Sequence, residues 1–296
     1  MFRKLLIANR GEIACRIIRT CRRLGVATVA VYSEADATAK HVQLADEAVL
    51  LGPPPPAESY LNIPRIVEAA RQTGAEAVHP GYGFLSQNPR FVQACAEAGV
   101  TFVGPRPEVM ERMGDKLLAR RMAIEAGVPV LPGSEEVDEA SALARARELG
   151  FPLMVKAAMG GGGIGIQLVE SEERLADVLR RSRSLARNAF GSDTLYLERY
   201  LEGASHIEVQ VLADHHGGVV HLFERDCSIQ RRHQKVVEEA PSAKLTPGER
   251  EAITGHALAL ARHIGYTNAG TVEVLYRDGQ AYFLEMNTRL QVEHPA

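Results

Sequence analysis

The chain is poor in cysteine, and none of its cysteines is paired at metal-ligand spacing. Cys15, Cys21, Cys95 and Cys227 form no CxxC. That argues against a zinc ribbon or a disulfide framework and fits a reducing cytosol or organelle matrix. Long apolar runs are missing too: none reaches the roughly 18 residues of a membrane span. Neither sign of charge dominates, with a net charge of −3 and a pI near 6.4, so nothing favours nucleic acid or a membrane as partner. The opening Met1-Phe2-Arg3-Lys4-Leu5 runs into a short strand and lacks the form of a secretory signal, so a cytoplasmic protein is expected. The first strand-to-helix turn, Asn9-Arg10-Gly11-Glu12, lacks the spaced glycines of a dinucleotide site, and no Gly-Lys-Ser/Thr of a P-loop occurs.

What is present is ample apolar material, 46% of 296 residues, enough for about two domains. Apolar runs at 4–8, 27–32, 48–51, 75–78 and 101–103 alternate with helical patterns at 60–71 and 91–98. The first helix places Ile13, Ile17, Cys21 and Leu24 on one face and closes at Gly25. This alternation predicts a doubly wound parallel sheet. Within it, His79-Pro80-Gly81-Tyr82-Gly83-Phe84-Leu85-Ser86 follows a strand. It reads equally as a ligand loop or as a plain Gly/Pro turn.

A second unit begins near Gly114-Asp115-Lys116, with helices at 116–126 and 136–148. A strand at 153–156 leads to Gly160-Gly161-Gly162-Gly163-Ile164-Gly165 and then to a strand at 166–169. Strand, glycines, strand is the pattern of a flap over phosphates, because only glycine lets a backbone approach that closely. Lys156 and Lys116 are candidates to neutralise phosphate. A helix at 171–189 precedes an apolar segment at 195–201, and an alternating strand covers 206–212. The polar run 224–239, which holds Gln230, His233 and Lys235, reads either as a solvated face or as an anion-binding cluster. A helix at 246–264 opens with a capping box, Thr246 with Glu249.

The C-terminal stretch concentrates the chemistry. Segments 271–276 and 281–286 predict a hairpin around Asp278-Gly279. A two-residue turn would put Glu273 and Glu285 on opposite faces, whereas a three-residue loop 277–279 would put them on the same face. Two carboxylates on one buried face repel unless a cation joins them. The expectation is therefore a three-residue loop and a magnesium or manganese ion held by Glu273, Glu285 and Asn287. Arg289 suits an anion and Glu293 a general base.

Together these motifs resemble biotin carboxylase, within the ATP-grasp superfamily. The resemblance runs from residue 4 to 295. Its most specific parts are Ile7-Ala8-Asn9-Arg10-Gly11-Glu12-Ile13-Ala14, Arg231-Arg232-His233-Gln234-Lys235 and Gln291-Val292-Glu293-His294-Pro295. It implies an N-terminal parallel-sheet domain at 1–113. An α+β ATP-grasp domain at 114–296 would follow, incomplete at its C-terminal end, with a glycine-rich lid at about 132–200. It implies ATP held by Lys116, Lys156, Gly161, Gly162, Gly163, Gly165, Glu198, Leu201, His206, Gln230, His233 and Leu275. Bicarbonate would lie on Lys235, Arg289, Gln291 and Val292, with Glu293 as the base, and Tyr82 and Gly83 would face biotin. The implied partners are a biotin carrier, a carboxyltransferase and the family's dimer mate, in pathways such as fatty acid biosynthesis. Against the family pattern, Ile164 and Ile166 replace a basic residue and a methionine, Gln87 a glutamate, and Arg23 a glutamate.

Overall fold

The computed structural model describes residues 1–160, 165–232 and 234–296. Two compact units emerge: one of residues 1–110, 267–270 and 288–295, the other of residues 111–266 and 271–287 with Ala296.

The first unit is a parallel sheet in the order β3-β2-β1-β4-β5, built from β1 (Lys4–Ile7), β2 (Ala27–Ser33), β3 (Glu47–Gly52), β4 (Ala77–His79) and β5 (Thr101–Phe102). Helices α1 (Gly11–Leu24), α2 (Lys40–Leu44), α3 (Ile63–Thr73) and α4 (Pro89–Glu97) connect the strands. Alternation along β1 splits the core. Leu5 and Ile7 cluster with Ile13, Ile17 and Cys21 of α1. Leu6 and Ala8 cluster with Ile66 of α3 and Phe91 of α4. Leu24 departs from the expected face: at the last helical position, with no following turn to cover it, it is exposed. Gly25 caps the helix in the left-handed conformation, as its sequence position predicts.

At the carboxyl end of this sheet the loops are tied by polar contacts. Arg10 grips Asp36 with Nε and Nη2, both at 2.5 Å. The Tyr60 hydroxyl donates to the same carboxylate at 2.6 Å and accepts from the Ser33 amide at 3.0 Å. The Arg10 hydrogen bond outweighs burial and, with Tyr60, holds the Asp36 carboxyl at about 2.

The second unit holds two sheets with helices α5 (Pro107–Gly114, which begins in the first unit), α6 (Lys116–Glu125), α7 (Glu139–Leu149), α8 (Glu172–Phe190) and α9 (Pro247–His263). The smaller sheet, β6-β9-β7-β8, is antiparallel. It comprises β6 (Gly133–Glu136), β7 (Leu153–Ala157), β8 (Ile166–Val169) and β9 (Leu195–Arg199). Leu153, Val155 and Leu197 of this sheet pack with Leu175 and Leu179 of α8 in a separate core. The larger sheet runs β12-β11-β10-β13-β14. Its strands are β10 (Ser205–Ala213), β11 (Val219–Arg231), β12 (Gln234–Glu239), β13 (Asn268–Arg277) and β14 (Gln280–Asn287). Helix α9 carries the expected capping box between Thr246 and Glu249. The parallel-sheet unit and the antiparallel unit match the expected fold class.

The Asp36 contact carries a pH-dependent consequence. Its folded value, about 2, lies below the ordinary 3.8. Its stabilisation is therefore present above the unfolded value and is lost as pH falls through about 2. Asp36→Asn is expected to lower stability by about 1–2 kcal/mol at neutral pH, measured by urea unfolding, and the difference from wild type should shrink between about pH 4 and pH 2.

Candidate active site

The ribbon of β13 and β14 closes with a two-residue turn. Arg277 pairs with Gln280, and Asp278 and Gly279 take positive φ values of 50° and 79°. This corrects the expected three-residue loop. The turn alone would put Glu273 and Glu285 on opposite faces. A β-bulge intervenes: Val274 pairs with Phe283 but Glu273 pairs with Glu285, so Leu284 is extra. The two carboxylates therefore face each other, as expected, by a different route.

Glu273 is buried, and its oxygens are fully engaged. Oε1 accepts from Asn287 Nδ2 at 2.7 Å and Lys235 Nζ at 3.0 Å. Oε2 meets His206 Nε2 at 2.7 Å. Burial works against its charge, but His206 and Lys235 outweigh burial and hold the carboxyl below its ordinary range. Glu285 shows the opposite balance: burial, then the charge of Glu273, pushes its carboxyl up against the pull of Lys116, His206 and Lys156. Lys116 Nζ lies 3.6 Å from Glu285 Oε2.

His206 projects from the same strand as Glu208 and Gln210. In the neutral ring Nδ1 accepts from Gln230 Nε2 at 3.0 Å, which places the proton on Nε2 toward Glu273. Burial lowers the imidazole's affinity for a proton, but Glu273 more than compensates and the net shift is upward. Glu208 is fully buried; Arg225 Nε binds it at 2.5 Å, and Lys235 bridges it to Glu273. His206, Glu208 and Glu273 bring ligand atoms within 4.8 Å of one another. The Lys235 ammonium joins the two carboxylates, so the charge that a cation would supply there is already present. Glu285, opposite Glu273 and with a raised carboxyl, is where cationic charge is short. With Asn287 it completes a hard-oxygen donor set suited to magnesium or manganese.

In the smaller sheet Lys156 and Glu198 form a buried ion pair, with Arg120 Nη1 3.6 Å from Glu198. Gly165 sits at φ +77°, and a Cβ there would meet Ala157 Cβ at 3.0 Å, so the strand after the glycines closes back tightly. Lys116 also bonds the Gly160 carbonyl. Gly161, Gly162, Gly163, Ile164 and His233 lie outside the described residues. Leu201, just beyond β9, and Leu275, opposite Tyr282 in the ribbon, are half-buried.

In the first unit, buried Asn9 donates Nδ2 to the carbonyls of Pro80 (2.7 Å) and Tyr82 (2.8 Å). The Asn9 loop thus clamps the His79–Ser86 loop. Tyr82 donates to Glu12 at 2.8 Å; burial, then Glu12, pushes its phenol up to about 12, with Glu293 adding to the shift. Gly83 is exposed at φ 69°. Arg289 is half-buried and donates to the Leu290 carbonyl at 3.1 Å. Gln291 is buried, Val292 exposed and Glu293 half-buried.

Two domain families account for nearly all of these residues. The "Biotin carboxylase, N-terminal domain" matches residues 1–110, and the "Carbamoyl-phosphate synthase L chain, ATP binding domain" matches residues 115–296. Biotin carboxylase 2 of Bacillus subtilis (strain 168) is 55% identical across 100% of this chain and 67% of its own length. The chain belongs to the biotin carboxylase family. A biotin carboxylase of Halalkalibacterium halodurans is 58% identical over 100% of the chain, which spans only 66% of that relative. A solved biotin carboxylase domain dimer of the Hydrogenobacter thermophilus 2-oxoglutarate carboxylase, in complex with MgADP, ADP and bicarbonate, superposes with a TM-score of 0.96. Its identity is 51%, covering 100% of this chain and 66% of that one.

Within this family frame, reading the sequence missed Glu208, Arg225 and Asn9. The signal for Glu208 was available: His206, Glu208 and Gln210 share one face of β10 while Ile207, Val209 and Val211 fill the other. The polar run 224–239 proved to be neither alternative alone. Its first residues, Glu224, Arg225 and Asp226, are buried in ion pairs and hydrogen bonds, including Arg250 to Glu224 at 2.8 Å, while Arg231 and Arg232 are exposed.

Removing Lys235 would leave Glu208 and Glu273 without their shared cation. Lys235→Met is expected to cost about 3–5 kcal/mol in urea unfolding, the penalty for uncompensated buried charge. Glu285→Gln should have the reverse effect in metal-free protein. Relief of the carboxylate repulsion is expected to raise the melting temperature by a few degrees, while affinity for Mn2+, followed by calorimetry, falls at least tenfold.

Proposed function

We propose that the chain carries out the ATP-dependent carboxylation of biotin with bicarbonate as the carbon source. The observation that carries this reading is the bulged ribbon, which sets Glu273 and Glu285 face to face beside Lys116 and within the field of Lys156. That is a site built for polyphosphate together with a divalent cation.

Magnesium or manganese, when bound by Glu273, Glu285 and Asn287, supplies positive charge to the phosphates. Lys116 and Lys156 add fixed charge to the phosphates, and Glu198, Leu201, His206, Gln230, His233 and Leu275 hold the nucleoside. Arg289, Gln291 and Val292 bind bicarbonate. Glu293 takes its proton, and the freed oxygen attacks the γ-phosphorus as the bond to ADP breaks, giving carboxyphosphate. That species releases carbon dioxide and phosphate; the phosphate takes the biotin N–H proton, and the nitrogen bonds to carbon dioxide. Tyr82 and Gly83 hold the biotin ring. Catalysis rests mainly on positioning and electrostatics, as expected for phosphoryl transfer. The MgADP and bicarbonate of the Hydrogenobacter relative support this reading. Biotin would arrive on a carrier protein or domain, and a carboxyltransferase would consume the product.

Magnesium-dependent ATP hydrolysis stimulated by bicarbonate tests the reaction. Glu293→Gln is expected to remove the stimulated rate by a factor of about 10² or more while calorimetry shows ATP binding retained. Hydrolysis in wild type that ignores bicarbonate would instead favour another ATP-dependent carboxylate ligase.

A further inference from the structure

Glu12 is an exposed carboxylate to which the proposed reaction gives no part. It lies in the first turn of α1, a helix whose start has no side-chain capping bond. Its Oε2 accepts the Tyr82 hydroxyl at 2.8 Å, across 70 positions of the chain. Both residues belong to the first unit.

The backbone that carries Tyr82 is held from several sides. Asn9 donates to the carbonyls of Pro80 and Tyr82, and the Ser86 amide donates to the Gly83 carbonyl at 2.9 Å. Gly81, Gly83 and Phe84 take positive φ values of 62°, 69° and 39°. That conformation is strained for phenylalanine and persists only where the surroundings hold it. Here Phe84 stacks on Tyr60, with ring centroids 5.1 Å apart and 19° between the planes. Tyr60 is itself tied to Asp36 and to the Ser33 amide. With the main chain fixed, the freedom left to Tyr82 is in its side-chain torsions. One side of the ring packs against the α1 core of Ile13 and Ile17, and Glu12 takes hold of its far end. A carboxylate only accepts. The phenol therefore directs its one proton at Glu12, and its oxygen offers only lone pairs to a ligand lying against the ring.

We infer that Glu12 is a positioning residue for biotin: it holds the Tyr82 side chain, in ring torsion and hydroxyl direction, as the ligand must meet it. The inference rests on the reading of Tyr82 and Gly83 as the biotin contacts. The competing role for Glu12 is structural, a negative charge that favours the start of α1. The two roles make opposite demands. Aspartate at position 12 keeps the charge at the helix start but is one methylene too short for the phenol. Glutamine keeps the reach and an acceptor but gives up the charge.

Binding of free biotin by the intact chain, without nucleotide or metal, is followed by saturation-transfer NMR, with urea midpoints measured in parallel. Wild type is expected to bind. Glu12→Ala and Glu12→Asp should each weaken binding about five- to tenfold, the latter at an unchanged urea midpoint, whereas Glu12→Gln should stay within about twofold of wild type. In carboxylation of free biotin the same loss should fall on KM for biotin and leave KM for ATP unmoved. Binding of wild-type strength in Glu12→Asp, or a weakening in Glu12→Gln as large as in Glu12→Ala, would assign Glu12 to the helix end and overturn the inference. A loss that falls on KM for ATP would overturn it too. These outcomes leave the biotin reading standing, because wild type still binds; no binding of biotin by wild type overturns that reading and the inference with it.

Discussion

The second unit depends on how the buried charge of Glu273 is compensated. A carboxylate withdrawn from water costs several kcal/mol unless paired and hydrogen-bonded. Here a lysine, an imidazole and an amide divide its two oxygens among them. Each partner comes from a different strand of one sheet: His206 from β10, Lys235 from β12 and Asn287 from β14. The charge network thus joins the sheet laterally, from its β12 edge to its β14 edge. Glu285 lacks that compensation on the same ribbon, and this asymmetry between facing carboxylates is what makes the place receptive to a cation.

Much of this was legible in the primary structure, for identifiable reasons. The parallel sheet was, because β1, β2 and β4 are apolar runs separated by helical periodicity. Glu273, Glu285 and Asn287 were, because a period of two places them on a ribbon beside apolar neighbours. The bulge was not. One extra residue at Leu284 has no local signature, since its neighbours Phe283 and Met286 are apolar on either side of the irregularity. The pairing of Lys235 with Glu208 was equally hidden: nothing local to either residue announces a partner that far along the chain. The segment 219–223 escaped as the start of β11 because its apolar residues lie on an exposed stretch, with Leu222 and Phe223 largely open to water.

Asn9 shows how a familiar position can change its job. It occupies the strand-to-helix turn where other α/β proteins cradle phosphate. Its side-chain amide instead spans two carbonyls of a neighbouring loop, and Arg10 turns to Asp36. Gly81 makes that grip possible, because a Cβ there would fall 2.9 Å from Asn9 Nδ2.

The ribbon obeys a parity rule. Between Glu273 and Glu285, two residues go unpaired at the hairpin end and one at Leu284. With 11 residues between the acids, an odd unpaired total keeps both on a common side, and at that separation an even total would part them. Length changes in this hairpin are therefore tolerable in steps of two, or as a single insertion offset by losing the irregularity. The shape of the turn can drift, but the unpaired count must keep the parity of the separation.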